Sequence, residues 1–181
     1  MVASRIFNIP VLWPVFIPKI GALIVLKDEI RNPYHEAWLG ISGPIAGLTA
    51  TGVIHILALK TGSRELAHCA AAGYVIHAFN LIPLGDLDGG HIAPLVGRWL
   101  WIPGVLMVLG LLVFFTELPW QVSLLALFFL WNGCSKIWDW LTSEPAIRCM
   151  PSECTPKRRL GMAALYGAAV VLSVLGLLES I

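Results

Sequence analysis

Charge is scarce in this sequence. Only 13% of the 181 residues are charged, against about a quarter in soluble domains, and 57% are hydrophobic. The mean hydropathy is +0.79. Because each bilayer crossing needs roughly 20 apolar residues, the length allows about five membrane helices and no second, soluble domain. The composition therefore predicts an all-α, polytopic integral membrane protein, which we expect in the cell membrane.

Other absences exclude further classes. The net charge is +1 and no basic stripe is interleaved with aromatic residues, so nucleic acid is not an expected partner. No two of the four cysteines have the C-x-x-C spacing of a thiolate zinc site. The N-terminus lacks a charged segment followed by an unbroken apolar run, as a signal peptide would have. The lipid bilayer is the expected surrounding, and the sequence does not indicate an oligomeric state.

Five apolar stretches follow a broken N-terminal segment. Residues 1–27 are interrupted by three prolines and a glycine, which favours a hairpin or a re-entrant segment over a spanning helix. "GISGPIAG" (40–47), in the first apolar stretch, is rich in small residues and predicts a contact face between helices. We treat residues 1–181 as a single membrane-embedded domain. The predicted spans are 37–59, 66–84, 99–115, 120–140 and 160–178.

Basic residues are unevenly distributed over the predicted loops. The run 157–159 precedes the fifth span, and alternate crossings place Arg98 on the same side. The positive-inside rule predicts that this side is cytoplasmic. Lys60 and Arg64 are then on the other side.

Two carboxylates, Asp86 and Asp88, stand in "FNLIPLGDLDGGHI" (79–92), where the second apolar stretch ends. A carboxylate at membrane depth costs roughly 2.5 to 3.5 kcal/mol on insertion scales, so such residues are usually paired and functional. "GDLDGG" is equally compatible with a solvated turn. The local pattern leaves both interpretations open, and it gives Asp86 no role of its own.

The same stretch closely resembles the Asn-x-x-Pro-x-x-x-Leu-Asp-Gly motif of the site-2 protease family, the zinc metalloproteases that cut other proteins inside the membrane. Residues 14–47 also resemble the family's membrane-associated hairpin and its Gly-Pro-containing helix. The resemblance covers about residues 10–98, a little under half of the chain, and leaves 99–181 as additional C-terminal transmembrane helices. The residues at motif positions are Asn80, Pro83, Leu87, Asp88, Gly89 and Gly90.

The resemblance implies roles for these residues. Asp88 would be the third protein ligand of a catalytic zinc whose fourth position holds water. Asn80 would position the substrate backbone or the oxyanion through its amide. Pro83 and the glycine pair 89–90 would be structural, and we assign His91 to supporting or packing contacts rather than to zinc. The implied activity is hydrolysis of peptide bonds in a transmembrane protein substrate.

Two of the three zinc ligands are missing. In the family they are the histidines of His-Glu-x-x-His, whose glutamate is the general base. None of the five histidines here has another four residues later. "HEAWL" (35–39) lacks the second histidine, and "RELAH" (64–68) has an arginine in place of the first, so we interpret both as chance resemblances. By itself the chain would be inactive.

Two alternatives stay open. A non-catalytic relative would bind transmembrane segments without cutting them and use Asp88 only to stabilise the fold. A small transporter or channel fits less well, because its ionisable residues would be spread over several spans. Here Asp86 and Asp88 are clustered.

The first residues, "MVASRIFNIP", are typical of the continuation of a His-Glu-x-x-His helix. We therefore expect the chain to begin just after the missing motif, through an internal start codon or a truncated or disrupted gene. Reading the genomic DNA upstream of Met1 tests this, with an in-frame His-Glu-x-x-His expected within about 30 codons, the length of one or two helices. Its absence would reject truncation and favour the non-catalytic relative.

Overall fold

A computed structural model describes residues 15–17, 21–23, 32–114, 120–142 and 154–180. Helices dominate these ranges, as the composition predicted. Within them lie six α-helices, and a 3-10 turn at Arg98–Leu100 precedes the fourth. The helices are α1 (Pro33–Thr61), α2 (Arg64–Asn80), α3 (Asp88–Val96), α4 (Trp101–Phe114), α5 (Trp120–Thr142) and α6 (Pro156–Ser180).

Two short strands, β1 (Val15–Ile17) and β2 (Gly21–Leu23), lie in the segment for which a hairpin was one expectation. They pair antiparallel, with Phe16 opposite Ala22. The other parts of the N-terminal segment, residues 1–14, 18–20 and 24–31, are outside the described residues.

Each of the five predicted spans coincides with a helix. α1 and α6, with 29 and 25 residues, are long and apolar enough to cross a membrane. They expose large apolar side chains, among them Leu59 (72% exposed) and Leu178 (68%), as helices in contact with lipid do. α2, α4 and α5 occupy the other three stretches, and their crossing of the membrane stays a prediction. α2 ends at Asn80 rather than at Leu84, because Pro83 cannot continue a helix and disfavours helical backbone before it.

Capping residues define the ends of α1 and the start of α2, and the link between the two helices is short. The side chain of Asn32 caps α1 by accepting a hydrogen bond from the backbone N–H of Tyr34 at 2.9 Å. Gly62 caps the C-terminal end of α1, and its φ of +67° is the left-handed conformation that glycine adopts without strain. Ser63 then caps α2 by accepting from the backbone N–H of Leu66 at 3.3 Å. With only this link between them, α1 and α2 form an antiparallel hairpin.

Small residues let α1, α2 and α6 approach one another closely. A Cβ at Gly73 of α2 would lie 2.5 Å from Oγ1 of Thr51 on α1, and a Cβ at Gly176 of α6 would overlap the Tyr74 ring of α2. The Tyr74 hydroxyl lies 3.3 Å from Nδ1 of His55 on α1, so two buried polar side chains satisfy each other between helices.

α1 and α6 begin at the same end of the bundle. The Arg158 guanidinium of α6 lies 4.7 Å from the ring centroid of Tyr34, in the first turn of α1. α3 runs back toward this end, and Arg98 follows it there. Lys60 and Arg64 lie at the opposite end, where α1 passes into α2. The basic residues are thus grouped as the sequence predicted, and which end faces the cytoplasm stays a prediction.

The loop 81–87, which carries Pro83 and Leu87, joins two hydrophobic cores. Leu81 belongs to the first core, between α1, α3 and α6. Leu84 and Leu87 belong to the second, with Val108 of α4 and Ala126 of α5. Because this loop belongs to both cores, it is where the two halves of the described structure meet.

Replacing Gly176 by alanine should destabilise the fold. The new Cβ would overlap the Tyr74 ring, and such overpacking costs about 1 to 3 kcal/mol of unfolding free energy. Gly167→Ala on the same helix is the matched control, since a Cβ there meets nothing within 4 Å. Denaturation in mixed SDS micelles, followed by circular dichroism, measures both variants. Equal stabilities would contradict the close packing of α6 on α2.

Candidate functional site

Asp88 is the first residue of α3, and two glycines follow it because the loop 81–87 crosses the first turn of that helix. A Cβ at Gly89 would overlap the carbonyl oxygen of Leu81, and a Cβ at Gly90 would overlap that of Gly85. Gly85 has a φ of +52°, a conformation that favours glycine. The glycines of the motif are therefore needed for backbone packing around Asp88, whether or not a metal is bound.

Neighbouring helices hold the loop in place. The Tyr166 hydroxyl of α6 donates a hydrogen bond to the carbonyl oxygen of Leu81 at 2.6 Å. On the other side, a Cβ at Gly104 of α4 would overlap the carbonyl oxygen of Pro83, which is itself buried. The motif proline thus lies in the contact between the loop and α4.

One face of α1 receives the start of α3. A Cβ at Gly40 would lie 2.7 Å from the backbone oxygen of Asp88 and 3.0 Å from Cβ of His91. A Cβ at Gly43 would lie 3.6 Å from Oδ2 of Asp88. Residues three apart share a helix face, so the two glycines form one surface. The contact face predicted from "GISGPIAG" is confirmed, and Asp88 lies against it.

The acidic residues near Asp88 are paired, whereas Asp88 is not. Nδ1 of His91 lies 3.0 Å from Oε1 of Glu36, in the first turn of α1. Oδ1 of Asp86 lies 3.5 Å from Nζ of Lys136 on α5, which gives this aspartate a partner that the sequence did not suggest. Within the part of the chain that the structure describes, the Asp88 carboxylate makes no hydrogen bond or ion pair.

Burial shifts the pKa values of Asp88 and His91 in α3, and the hydrogen bond with Glu36 also acts on the pKa of His91. α3 has nine residues and is too short to cross a membrane. Burial raises the pKa of Asp88 to about 6, and the nearby His91 opposes this shift. The hydrogen bond to Glu36 raises the pKa of His91, although burial acts in the opposite direction. A carboxyl group with so perturbed a pKa is typical of a functional site.

A single carboxylate does not make a zinc centre. A catalytic zinc takes three protein ligands, and the described residues contain no group of three or more His, Cys, Asp or Glu side chains that could hold a metal ion. His91 is turned toward Glu36, and the His77 ring packs where a side chain at Gly47 would lie. Asp88 thus fits one ligand position, whereas the remaining described residues do not complete a site. No zinc-dependent step can be derived from them.

Asn80 is the last residue of α2, and the loop 81–87 separates it from Asp88. Its side chain is half-buried and makes no hydrogen bond to the described residues. The amide is therefore available for an external partner, and its role toward a substrate stays a prediction.

Sequence reasoning missed Glu36 and Lys136. Glu36 lies four residues before Gly40, so the helical period places both on the face of α1 that contacts α3. In "HEAWL" the glutamate thus contacts His91, next to the motif. Lys136 stands on a different helix from Asp86, and no sequence spacing indicates their contact.

No protein-family model, curated protein or solved structure matches the chain. The resemblance to site-2 proteases therefore rests on the motif residues and on the stretch 14–47.

Replacing Asp88 by asparagine should stabilise the protein at neutral pH. Because its pKa is raised from 3.8 to about 6, the folded chain keeps a proton that the unfolded chain has released between these values. Stability therefore falls as the pH rises from about 4 to about 6. Asparagine removes this loss, so its advantage should be absent below about pH 4 and reach on the order of 3 kcal/mol above about pH 6.

Asp86→Asn is the matched control for this measurement. Asp86 is 57% exposed and its ion pair is solvated, so the variant should change the unfolding free energy by less than about 1 kcal/mol. SDS denaturation at pH 4, 5 and 7 measures both variants. An Asp88→Asn advantage of equal size at all three pH values would contradict the assignment to a titrating carboxyl group.

Proposed function

We propose that this chain is the aspartate-bearing part of a site-2-type intramembrane zinc metalloprotease. The observation that carries the proposal is the state of Asp88, which stands at the ligand position of the motif, is partly buried and makes no hydrogen bond or ion pair to the described residues. The neighbouring carboxylates, Glu36 and Asp86, are both paired. Of the three, Asp88 is the one free to bind a metal ion.

The energetic cost of this arrangement supports a functional role. Burying a carboxylate without a partner destabilises the folded state unless the group takes up a proton, as the raised pKa of Asp88 reflects. Proteins keep such groups mainly where ligands or substrates need them. A bound cation would offset the cost, because it favours the charged form of the carboxylate.

The second support is the position of the loop. We propose that α1, α2, α4, α5 and α6 all cross the membrane, which places the loop 81–87 and Asp88 between the second and third spans. Non-helical backbone is tolerated at membrane depth only where protein covers it or where it lines a cavity. The loop meets this condition, since its leucines are buried in both cores. Such a loop can present Asp88 and Asn80 to a transmembrane substrate without exposing peptide groups to lipid.

The chain alone is proposed to be inactive. Zinc would act on the attacking water and the scissile carbonyl only in a protein that also holds the two histidine ligands and the general base of a His-Glu-x-x-His motif, and the sequence has no such motif. The residues present would contribute the carboxylate of Asp88, the amide of Asn80 and the scaffold that holds them.

A second candidate is a non-catalytic membrane protein that binds transmembrane segments. It is equally compatible with the lack, among the described residues, of a group of three or more side chains that could hold a metal ion. In that case Asp88 would serve the fold, and its replacement by asparagine would destabilise the protein at neutral pH. The protease proposal predicts the opposite sign.

Expression of the gene with its natural upstream codons tests the protease proposal. The extended protein should cleave a transmembrane peptide in liposomes, and Asp88→Asn should lower the rate at least about a hundredfold, more than loss of a residue that only supports a ligand. Asp86→Asn is the matched control, because it also removes one carboxylate charge and lies two residues before Asp88. It should leave the cleavage rate within about threefold of the wild-type rate, because an exposed ion pair contributes little.

Wild-type proteolysis by the Asp88→Asn variant would remove Asp88 from the ligand set. Stoichiometric zinc binding and peptide cleavage by the 181-residue chain alone would contradict the proposed inactivity of this chain.

A further inference from the structure

Glu36 and His91 lie outside the ligand set of the proposed protease, yet their contact is next to Asp88. Their side chains are 18% and 33% exposed, so the hydrogen bond between them is partly shielded from water. The distance of 3.0 Å between Nδ1 and Oε1 is short enough for an imidazole N–H donating to a carboxylate. Shielding of this kind makes a charge-assisted hydrogen bond stronger than it is on the surface.

Few side chains contact the start of α3 besides His91 and Glu36: the Trp101 indole N–H donates a hydrogen bond to the carbonyl oxygen of Gly90 at 3.3 Å. The helix has nine residues, and Leu87 at its N-cap supplies no side-chain hydrogen bond. The glycines at 40, 89 and 90 allow backbone to approach closely, but they carry no side chain that would interlock. The orientation of the first turn therefore depends on the Trp101 contact and on side chains farther along the helix, which are His91 and the buried Ile92 and Leu95.

His91 is placed to set that orientation. It follows Asp88 by three residues, so both side chains project from the same side of α3. Both also meet the same face of α1, with His91 Cβ near Gly40 and Asp88 Oδ2 near Gly43. A contact that holds the His91 ring at Glu36 consequently limits where the Asp88 carboxylate can point.

The ion pair on the other side of Asp88 is weaker. Asp86 and Lys136 are 57% and 42% exposed and 3.5 Å apart, and such exposed pairs contribute little to stability. Asp86 also precedes α3, so its contact holds the loop rather than the helix.

We propose that His91 is a positioning residue, which donates its Nδ1–H to Glu36 and thereby holds the Asp88 carboxylate against α1 at Gly43. The orientation of residue 88 is a property of this fold. Its consequence for metal binding rests on the proposed function.

Disulfide crosslinking in the full 181-residue chain measures this orientation without zinc or substrate. Cysteines replace Gly43 and Asp88 after the four natural cysteines are changed to serine, and the rate of oxidation in membranes is followed by loss of maleimide labelling. A second pair, Thr51→Cys with Gly73→Cys, is the control in the same background. Its Cβ atoms would lie 3.3 Å apart between α1 and α2, away from α3.

Two substitutions at His91 separate the hydrogen bond from the ring. His91→Phe keeps a ring and removes the donor, and it should slow crosslinking of the 43–88 pair about tenfold, as expected for loss of a hydrogen bond to a charged group. His91→Asn places an amide N–H near the position of Nδ1 and should keep the rate within about threefold of the His91 chain. The control pair 51–73 should crosslink equally in all variants.

An unchanged 43–88 rate in His91→Phe, with the control pair intact, would overturn the proposal. Loss of crosslinking at both pairs would also overturn it, because His91 would then stabilise the whole bundle rather than orient residue 88. In the extended protein, His91→Phe should weaken zinc binding about 10 to 100-fold and His91→Asn should restore it. If the extended protein neither binds zinc nor cleaves, the proposed function fails, and the crosslinking result stands.

Discussion

The passage of the loop 81–87 across the first turn of α3 is the constraint on which the rest of the structure depends. Carbonyl oxygens of the loop occupy the positions that side chains at 89 and 90 would need, so only glycine permits the contact. With the backbone this close, Leu81 faces one core and Leu84 faces the other. The same passage sets Asp88 at the start of a short helix that can lie against α1.

Much of this arrangement could be predicted from the sequence. Hydropathy located all five long helices because their apolar content does not depend on tertiary contacts, and small residues marked the face of α1 that receives α3. The end of α2 was predicted four residues too late, since apolar residues continue past Pro83 although a helix does not. The backbone restriction imposed by Pro83 therefore ends the helix, although the apolar stretch continues.

The pairing of charges was not predictable in the same way. Asp86 and Asp88 look alike in the sequence, and only the fold gives the first a lysine on α5 and leaves the second without a described partner. Contacts between helices depend on how each helix is rotated, which a single sequence does not specify. Glu36 is an intermediate case, because its spacing from Gly40 was visible but its partner on α3 was not.

The hydrogen bond from Tyr166 to the carbonyl oxygen of Leu81 has a consequence for biosynthesis. The two residues are 85 positions apart, and translation proceeds at about 5 to 20 residues per second. For several seconds the loop therefore exists without its donor, and α3 has no α6 to pack on. The α1–α2 hairpin has its own caps and can form during that interval, whereas the region around Asp88 must wait for α6. Assembly of the region around Asp88 is in this way coupled to the emergence of a helix that contributes none of the residues 80–90.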